Sequence, residues 1–310
     1  MSLKRRDFVK LCSGTVAGFG ISQMFHPGLV KALEAATEPG RPPVVWMQGN
    51  GCTGCSVSIL NSVNPSIADV VLKVISLECQ ETLSVAEGSV AVDHMLEVAE
   101  KFKGKFYYIS EGALPTAENG AFCTIGVDSK GKEYTVLEMA KILGANAAAC
   151  VAVGACATGG GIPGSKGNVT GCVPLHKYLE SQGIKTPVIN ITGCPPHPDW
   201  MIGTLVHVLT KGVPELDAQG RPKMFFGKNI HDNCPYLPYF EKNVRQKTFT
   251  EKKTEACRAD MGCKGPLTGA DCFSRKWNNG TNWCVENAIC IGCAEIDWPD
   301  AFSPLYSPVV

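Results

Sequence analysis

The sequence has little net charge and no internal repeat. Apart from a mildly apolar stretch near its start, which is too short for the purpose, it has no apolar run that could cross a bilayer. Its 29 Lys and Arg side chains balance 29 Asp and Glu side chains. Nucleic-acid-binding proteins are usually markedly basic, so this balance argues against that class. Hydrophobic residues make up 45% of the 310 residues, which predicts a globular chain with room for two domains. The lack of a further apolar run predicts a mature protein that is soluble and has no transmembrane segment.

The N-terminus resembles an export signal. Arg5 and Arg6 stand directly before a mildly apolar stretch, residues 11–25, which is too short and too rich in glycine to span a bilayer. Paired arginines in this setting are typical of signals that export already folded proteins. We therefore expect residues 1–36 to be a twin-arginine signal and the protein to be periplasmic. A basic, frayed terminus is the alternative.

Strand-like and helix-like segments alternate between residues 43 and 212. The pattern predicts strands at 44–47, 106–109, 150–153 and 187–191, and helices at 67–75, 134–143 and 200–209. Such alternation is typical of an α/β fold with a doubly wound parallel sheet. After residue 212 the chain is rich in Gly, Pro, Asn and Cys and loses its periodicity. We expect residues 37–212 to form the α/β domain and residues 213–310 a small, mostly irregular domain.

Four cysteines follow predicted strands of the first domain. These are Cys52, Cys55, Cys156 and Cys194. In parallel sheets the ligand site lies outside the carboxyl ends of the strands, so four thiols scattered along the sequence should converge on one edge. Glu111, after the strand predicted at 106–109, should reach the same edge, where a plain hydrogen-bonding role is expected for it. Glycines beside Cys156 and Cys194 would let the backbone approach a bulky inorganic group.

The second domain holds eight further candidate ligands, which divide into two sets of four. One set is His231, Cys234, Cys257 and Cys263, and the other is Cys272, Cys284, Cys290 and Cys293. Thiolates at this density hold zinc, iron–sulfur clusters or disulfides. Disulfide scaffolds are usually much shorter chains, and an export route for folded cargo allows a cofactor to be inserted first in the reducing cytoplasm. Spacing alone leaves zinc open, because a zinc site accepts one histidine and three cysteines equally well.

The motifs together resemble the small subunit of the nickel–iron hydrogenases, over almost the whole chain. The resemblance rests on the twin-arginine segment, on Gly51-Cys52-Thr53-Gly54-Cys55, Ser110-Glu111-Gly112, Gly154-Ala155-Cys156-Ala157 and the run from Gly193 to Asp199, and on the segments around His231, Cys263 and Cys290. It implies a flavodoxin-like first domain and three iron–sulfur clusters. The proximal cluster would be held by Cys52, Cys55, Cys156 and Cys194, the medial by Cys272, Cys284, Cys290 and Cys293, and the distal by His231, Cys234, Cys257 and Cys263.

Three positions refine what the resemblance implies. Many family members carry proline where this chain has Cys284, and they bind a three-iron medial cluster. Cys284 therefore implies a medial [4Fe–4S] cluster and a resemblance to the nickel–iron–selenium branch. Oxygen-tolerant relatives carry extra cysteines near the proximal cluster, whereas this chain has Gly54 and Gly161, which implies an ordinary cubane there.

The implied activity is divided between two chains. A large subunit would hold the nickel–iron centre and cleave hydrogen, and this chain would be its obligate partner, with no catalytic residue of its own. Electrons would pass through three [4Fe–4S] clusters to an external carrier such as a multihaem cytochrome c, with His231 at the exit. The alternatives are a stand-alone iron–sulfur carrier and a zinc-stabilised binding protein. A hydrogen sensor fits poorly with an export signal.

Overall fold

Five parallel strands form the central sheet of the structure, a computed structural model that describes residues 40–251 and 255–308. The predicted export signal, residues 1–36, lies outside the described residues. Two short two-stranded sheets accompany the central one. The described strands are β1 (Pro43–Gln48), β2 (Ser76–Gln80), β3 (Tyr107–Glu111), β4 (Leu114–Pro115), β5 (Thr124–Val127), β6 (Glu133–Thr135), β7 (Ala149–Val153), β8 (Cys172–Val173) and β9 (Val188–Ile191).

Helices cover both faces of this sheet, and short helical turns make up most of the remaining chain. The described α-helices are α1 (Gly54–Ile59), α2 (Ile67–Asp69), α3 (Gly88–Lys101), α4 (Val136–Asn146), α5 (Gly154–Gly159), α6 (Leu175–Ser181), α7 (Pro198–Lys211), α8 (Lys223–Phe226), α9 (Leu237–Glu241), α10 (Cys272–Arg275) and α11 (Cys284–Asn287). A π-helical turn, Val70–Val74, continues α2. The 3₁₀ turns are Ala117–Gly120, His231–Asn233, Ala259–Met261, Gly265–Leu267 and Asp300–Phe302.

The order of the central sheet, β2-β1-β3-β7-β9, is the flavodoxin-like order, so the predicted fold class is confirmed. Side chains alternate between the two faces of each strand. Val45 and Met47 of β1 enter the core cluster beneath α3 and α4, whereas Val44 and Trp46 enter the clusters on the opposite face. Cys150 of β7 is fully buried, which agrees with the core position expected for it.

Several predicted boundaries were wrong. Strand β2 and helix α3 were not predicted, so the strand expected at 106–109 is the third strand of the chain rather than the second. Strand β2, with Glu78 and Gln80 among its five residues, has weak apolar character because it lies at the edge of the sheet. The helix expected from residue 134 begins at 136, since Thr135 caps it through a hydrogen bond from the Glu138 backbone. The helix expected at 67–75 changes to π-helical winding after Asp69.

The region after residue 212 is irregular, as predicted, with described α-helices of only four or five residues. It nevertheless shares apolar packing with the sheet. One core cluster joins Val151 and Ile189 of the strands to Phe226 and Trp283. The indole nitrogen of Trp200 in α7 donates to Asp271 at 2.7 Å and ties the two parts of the chain together. Within 40–251 and 255–308, no helix combines the length and the apolar character that a membrane crossing requires.

Candidate metal centres

The carboxyl ends of the sheet strands lie level with one another. Gln48 at the end of β1 pairs with Glu111 of β3, and Glu111 in turn pairs with Val153 of β7. Val153 pairs with Ile191 at the end of β9. Each strand therefore delivers the residues that follow it to one edge. The four thiols of the predicted proximal set occur just after three of these ends. They are Cys52 just before α1, Cys55 in its first turn, Cys156 in α5, and Cys194 in the turn before α7.

These four thiols influence one another electrostatically, which places them in one neighbourhood. Burial, the Glu111 carboxylate and the thiols of Cys156, Cys52 and Cys194 together raise the pKa of Cys55 far above its ordinary value. Burial and Cys52 raise the pKa of Cys156 to about 11. Although the residue Cys194 is exposed as a whole, burial of its thiol and then the neighbouring Cys156 raise its pKa to about 12. Thiols in such a setting ionise only when a cation compensates the charge.

Glu111 is the buried acceptor that organises this edge. Its side chain is 2% exposed and accepts hydrogen bonds from the indole nitrogen of Trp46 at 3.0 Å and from the backbone nitrogen of Cys55 at 3.0 Å. The backbone nitrogen and the hydroxyl of Ser56 also donate to it. The carboxylate therefore fixes the first turn of α1, which carries Cys55. This agrees with the plain hydrogen-bonding role expected for Glu111.

The backbone of two glycines, Gly54 and Gly161, lies close to the proximal thiols. A Cβ atom at Gly161, where φ is +54°, would lie 2.9 Å from Sγ of Cys156. One at Gly54 would lie 3.1 Å from Sγ of Cys52. A larger side chain at either position would have to displace its thiol or share the space in front of it.

The predicted medial set also comes together. Cys272 opens α10 and Cys284 opens α11, while Cys290 and Cys293 follow α11 in a loop. Burial and the neighbouring thiols, Cys293 foremost, raise the pKa of Cys272 well above its ordinary value. Cys284 is exposed as a residue. Burial of its thiol and then the neighbouring Cys293 raise its pKa to about 12. An ion pair of 2.6 Å between Lys276 and Glu286 ties the two short helices to each other.

The predicted distal set is held by turns. Burial raises the pKa values of Cys234 and Cys263, and the Cys257 thiol contributes to both shifts. The Cys263 thiol also contributes to the shift of Cys234. His231 joins them through a hydrogen bond of 3.1 Å from the Cys234 backbone nitrogen to its carbonyl oxygen. Gly265 lies between the thiol of Cys263 and the backbone of His231, where a Cβ would be 3.6 and 3.8 Å from them. The structure thus groups the eleven predicted thiols into three neighbourhoods, and the backbone of His231 lies beside the distal one.

Adjacent neighbourhoods are linked through backbone amides. A hydrogen bond from the Cys194 backbone lowers the pKa of Cys293, although burial raises it more, so the proximal and medial sets touch. A hydrogen bond from the Cys290 backbone likewise lowers the pKa of Cys263, although burial raises it more, so the medial and distal sets are also in contact. The backbone nitrogen of Lys264 also donates to the Cys290 carbonyl at 2.8 Å. The order of the sets in space is therefore proximal, medial and distal.

The side chains present fit iron–sulfur clusters in their chemistry. The fifteen described cysteines are all free thiols, so none of the described candidates is consumed in a disulfide. Nowhere in the described part of the chain do three or more His, Cys, Asp or Glu side chains take up the geometry of a single-ion site. The sets are identified instead by the shared surroundings of their thiols. Sets of four thiols, or of three thiols and an imidazole, suit a cluster whose irons supply the compensating charge.

The sequence did not single out the residues that hold these sets in place. His197 joins the two parts of the chain, since its Nε2 lies 2.7 Å from the carbonyl oxygen of Lys276 and its Nδ1 accepts from the Asp199 backbone. Arg258 packs beside the distal set. The sequence did contain a signal for both residues, namely their closeness to predicted ligands. His197 stands three residues after Cys194, and Arg258 directly follows Cys257.

Two protein families match this chain, and together they define the class of protein to which it belongs, a subunit of a redox enzyme. Residues 52–208 match the family described as NADH ubiquinone oxidoreductase, 20 Kd subunit. Residues 226–306 match the family that describes the C-terminal region of the NiFe/NiFeSe hydrogenase small subunit. The first match covers four of the five strands of the central sheet, β2, β3, β7 and β9, together with the proximal thiols. The second covers the medial and distal sets.

Individual relatives define the family more closely. The chain is 52% identical to the periplasmic [NiFeSe] hydrogenase small subunit of Desulfomicrobium baculatum, with 99% of each chain covered. It is 38% identical to the periplasmic [NiFe] hydrogenase small subunit of Solidesulfovibrio fructosivorans, covering 98% of this chain and 93% of the relative. The crystal structure of the reduced, active Ni–Fe–Se hydrogenase from Desulfomicrobium baculatum superposes with a TM-score of 0.83 at 50% identity, over 87% of this chain and 100% of that one. The chain belongs to the small subunits of the NiFe/NiFeSe hydrogenases, and the predicted resemblance to the selenium branch is confirmed.

Proposed function

We propose that this chain relays electrons between the nickel–iron centre of a hydrogenase large subunit and an external electron carrier. The observation that carries the proposal is the row of three ligand sets, each joined to the next through a backbone amide. Electron transfer between redox centres requires such short separations, and no other part of the described chain offers a comparable row. As in the family, the catalytic centre belongs to the large subunit, and this chain is its obligate partner.

Each ligand set takes one [4Fe–4S] cluster in this proposal. The clusters, when bound, supply one-electron oxidation and reduction, and the chain's own residues hold them, shield them from water and set their surroundings. The proximal set is Cys52, Cys55, Cys156 and Cys194, the medial set is Cys272, Cys284, Cys290 and Cys293, and the distal set is His231, Cys234, Cys257 and Cys263. Cys284 supplies the fourth medial thiolate. Gly54 and Gly161 leave the proximal cluster an ordinary cubane.

The distal set is the exit toward the carrier. His231 is half-buried and the adjacent Asp232 and Asn233 are exposed, so this set lies near the surface. A multihaem cytochrome c is the proposed carrier, since a haem edge can approach such a site closely. Competition by a purified multihaem cytochrome c for reduction of a small dye by the heterodimer would test this assignment.

We also propose that residues 1–36 export the folded chain to the periplasm by the twin-arginine route. The paired Arg5 and Arg6 support this, as do relatives whose names place them in the periplasm. Replacing both arginines with lysine should leave the chain in the cytoplasmic fraction of its host. Unchanged recovery from the periplasmic fraction would contradict the proposal.

The decisive test is the metal and sulfide content of anaerobically purified protein, with any co-purifying chain retained. About twelve irons and twelve acid-labile sulfides per copy of this chain are expected for three cubanes. About one nickel and one further iron should belong to a co-purifying large subunit. Iron and sulfide without nickel or a partner would favour a stand-alone carrier. Zinc in place of iron and sulfide would show a metal-stabilised binding protein instead.

A further inference from the structure

A buried arginine, Arg258, lies between the proposed distal and medial ligand sets. It directly follows Cys257 in sequence and is only 5% exposed. Its guanidinium donates to the carbonyl oxygen of Ala256 at 2.9 Å and to that of Glu286 at 3.3 Å. Glu286 belongs to α11, the helix that begins at Cys284. One side chain therefore connects the distal turn to the helix that carries a medial thiol.

Arg258 is also linked to the remaining distal cysteines, Cys234 and Cys263. Its Cζ lies 4.3 Å from the ring centre of Tyr236, whose backbone nitrogen donates to Sγ of Cys234 at 3.4 Å. The Arg258 carbonyl accepts from the Cys263 backbone nitrogen at 3.4 Å. The contacts thus reach three of the four proposed distal ligands.

A second arginine in the same region provides a contrast. Arg245 stacks on Phe240 with its Cζ 3.9 Å from the ring centre, and Phe240 meets His231 edge-on at 4.7 Å between ring centres. Arg245 also lies 3.6 Å from the carboxylate of Asp260, and it is more exposed than Arg258. The carboxylate of Asp260 therefore offsets part of the positive charge of Arg245.

We propose that Arg258 is a positioning residue that raises the reduction potential of the distal cluster and so favours the arrival of electrons at the exit. This inference rests on the proposed function, in which Cys234, Cys257, Cys263 and His231 hold that cluster. Reduction adds one negative charge to a cluster, and a buried positive charge nearby stabilises the reduced form. Screening by water is weak at this position because the guanidinium is almost fully covered.

The test is a redox titration of the purified heterodimer followed by electron paramagnetic resonance. The distal cluster is distinguished from the other two by its coupling to ¹⁵N-labelled histidine. In Arg258→Gln the distal potential should shift to a lower value, whereas in Arg258→Lys, which keeps the charge, it should stay near the parental value. Arg245→Gln is the matched control, since it also removes a guanidinium that stacks on an aromatic ring beside this set. The reduction potential of the distal cluster should shift clearly less in Arg245→Gln than in Arg258→Gln.

The outcomes separate this inference from the assignment beneath it. A parental protein without a histidine-coupled cluster signal would contradict the proposed distal ligands themselves. A normal parental signal with an unshifted potential in Arg258→Gln, or an equal shift in Arg258→Lys, would overturn the role of the charge. If the glutamine variant loses the cluster while the lysine variant keeps it at the parental potential, the charge is what matters. Loss of the cluster from both would show a purely structural residue and overturn the proposal.

Discussion

Replacing Glu111 with glutamine should destabilise the proximal edge through one identifiable donor. In the parent, one carboxylate oxygen accepts from the backbone nitrogens of Cys55 and Ser56, and the other accepts from Trp46 and from the Ser56 hydroxyl. The side-chain oxygen of the glutamine can still accept from the two backbone nitrogens. The NH₂ group of the glutamine then faces the indole N–H of Trp46, so two donors point at each other. The Ser56 hydroxyl can turn to accept, whereas the indole nitrogen cannot.

The expected magnitude follows from that count. One buried donor left without an acceptor costs about 1–3 kcal/mol. For a chain of this size, that lowers the thermal midpoint by roughly 2–10 °C. Glu111→Ala leaves the two backbone donors without their acceptor as well, so it should cost more than Glu111→Gln. Glu81→Gln is the control, because both carboxylate oxygens of Glu81 accept from one backbone nitrogen, that of Gln48, and the glutamine oxygen can keep that bond.

Thermal unfolding of the anaerobic heterodimer, followed by circular dichroism, measures these differences. A double-mutant cycle sharpens the test, because Trp46→Phe removes the donor that Glu111→Gln leaves unsatisfied. The tryptophan substitution should therefore cost less in the glutamine background than in the parent. Equal costs in both backgrounds, or equal midpoints for Glu111→Gln and Glu81→Gln, would refute the reasoning.

Two further predictions concern the cluster ligands. Cys284→Pro should lower the iron content by about one per chain and give an oxidised three-iron resonance signal, because proline is tolerated at the first position of α11 but supplies no thiolate. Cys150→Ala, which removes a core thiol, should leave both unchanged, and an unaltered spectrum in Cys284→Pro would exclude Cys284 as a ligand. Gly154→Ala should abolish the proximal signal, since its φ is +91° and its Cβ would overlap Sγ of Cys55. Gly212→Ala has a similar φ of +82° but open space around it, so retention of the signal in both variants would contradict the steric argument.

Local patterns in the sequence were sufficient for much of the fold and for the list of candidate ligands. Runs such as residues 150–153 are buried on both faces, and their apolar character is visible without knowledge of their neighbours. The placement of Cys156 and Cys194 after strand ends followed from the parallel sheet alone. Edge strand β2 escaped prediction because it is covered on fewer sides and can be polar. The boundary at residue 136 was missed because a capping bond, not hydrophobic periodicity, fixes it.

The sequence by itself determined which side chains are available as ligands and, through the order of strands and turns, that four of them meet at one edge. Only the tertiary structure decided how the three sets follow one another, because the contacts between Cys194 and Cys293 and between Cys290 and Cys263 join residues that no local pattern relates. It also decided the electrostatic surroundings. Whether a charge such as that of Arg258 acts on a ligand set from another part of the sequence depends on how deeply the charged group is buried and on which chain segments pack around it.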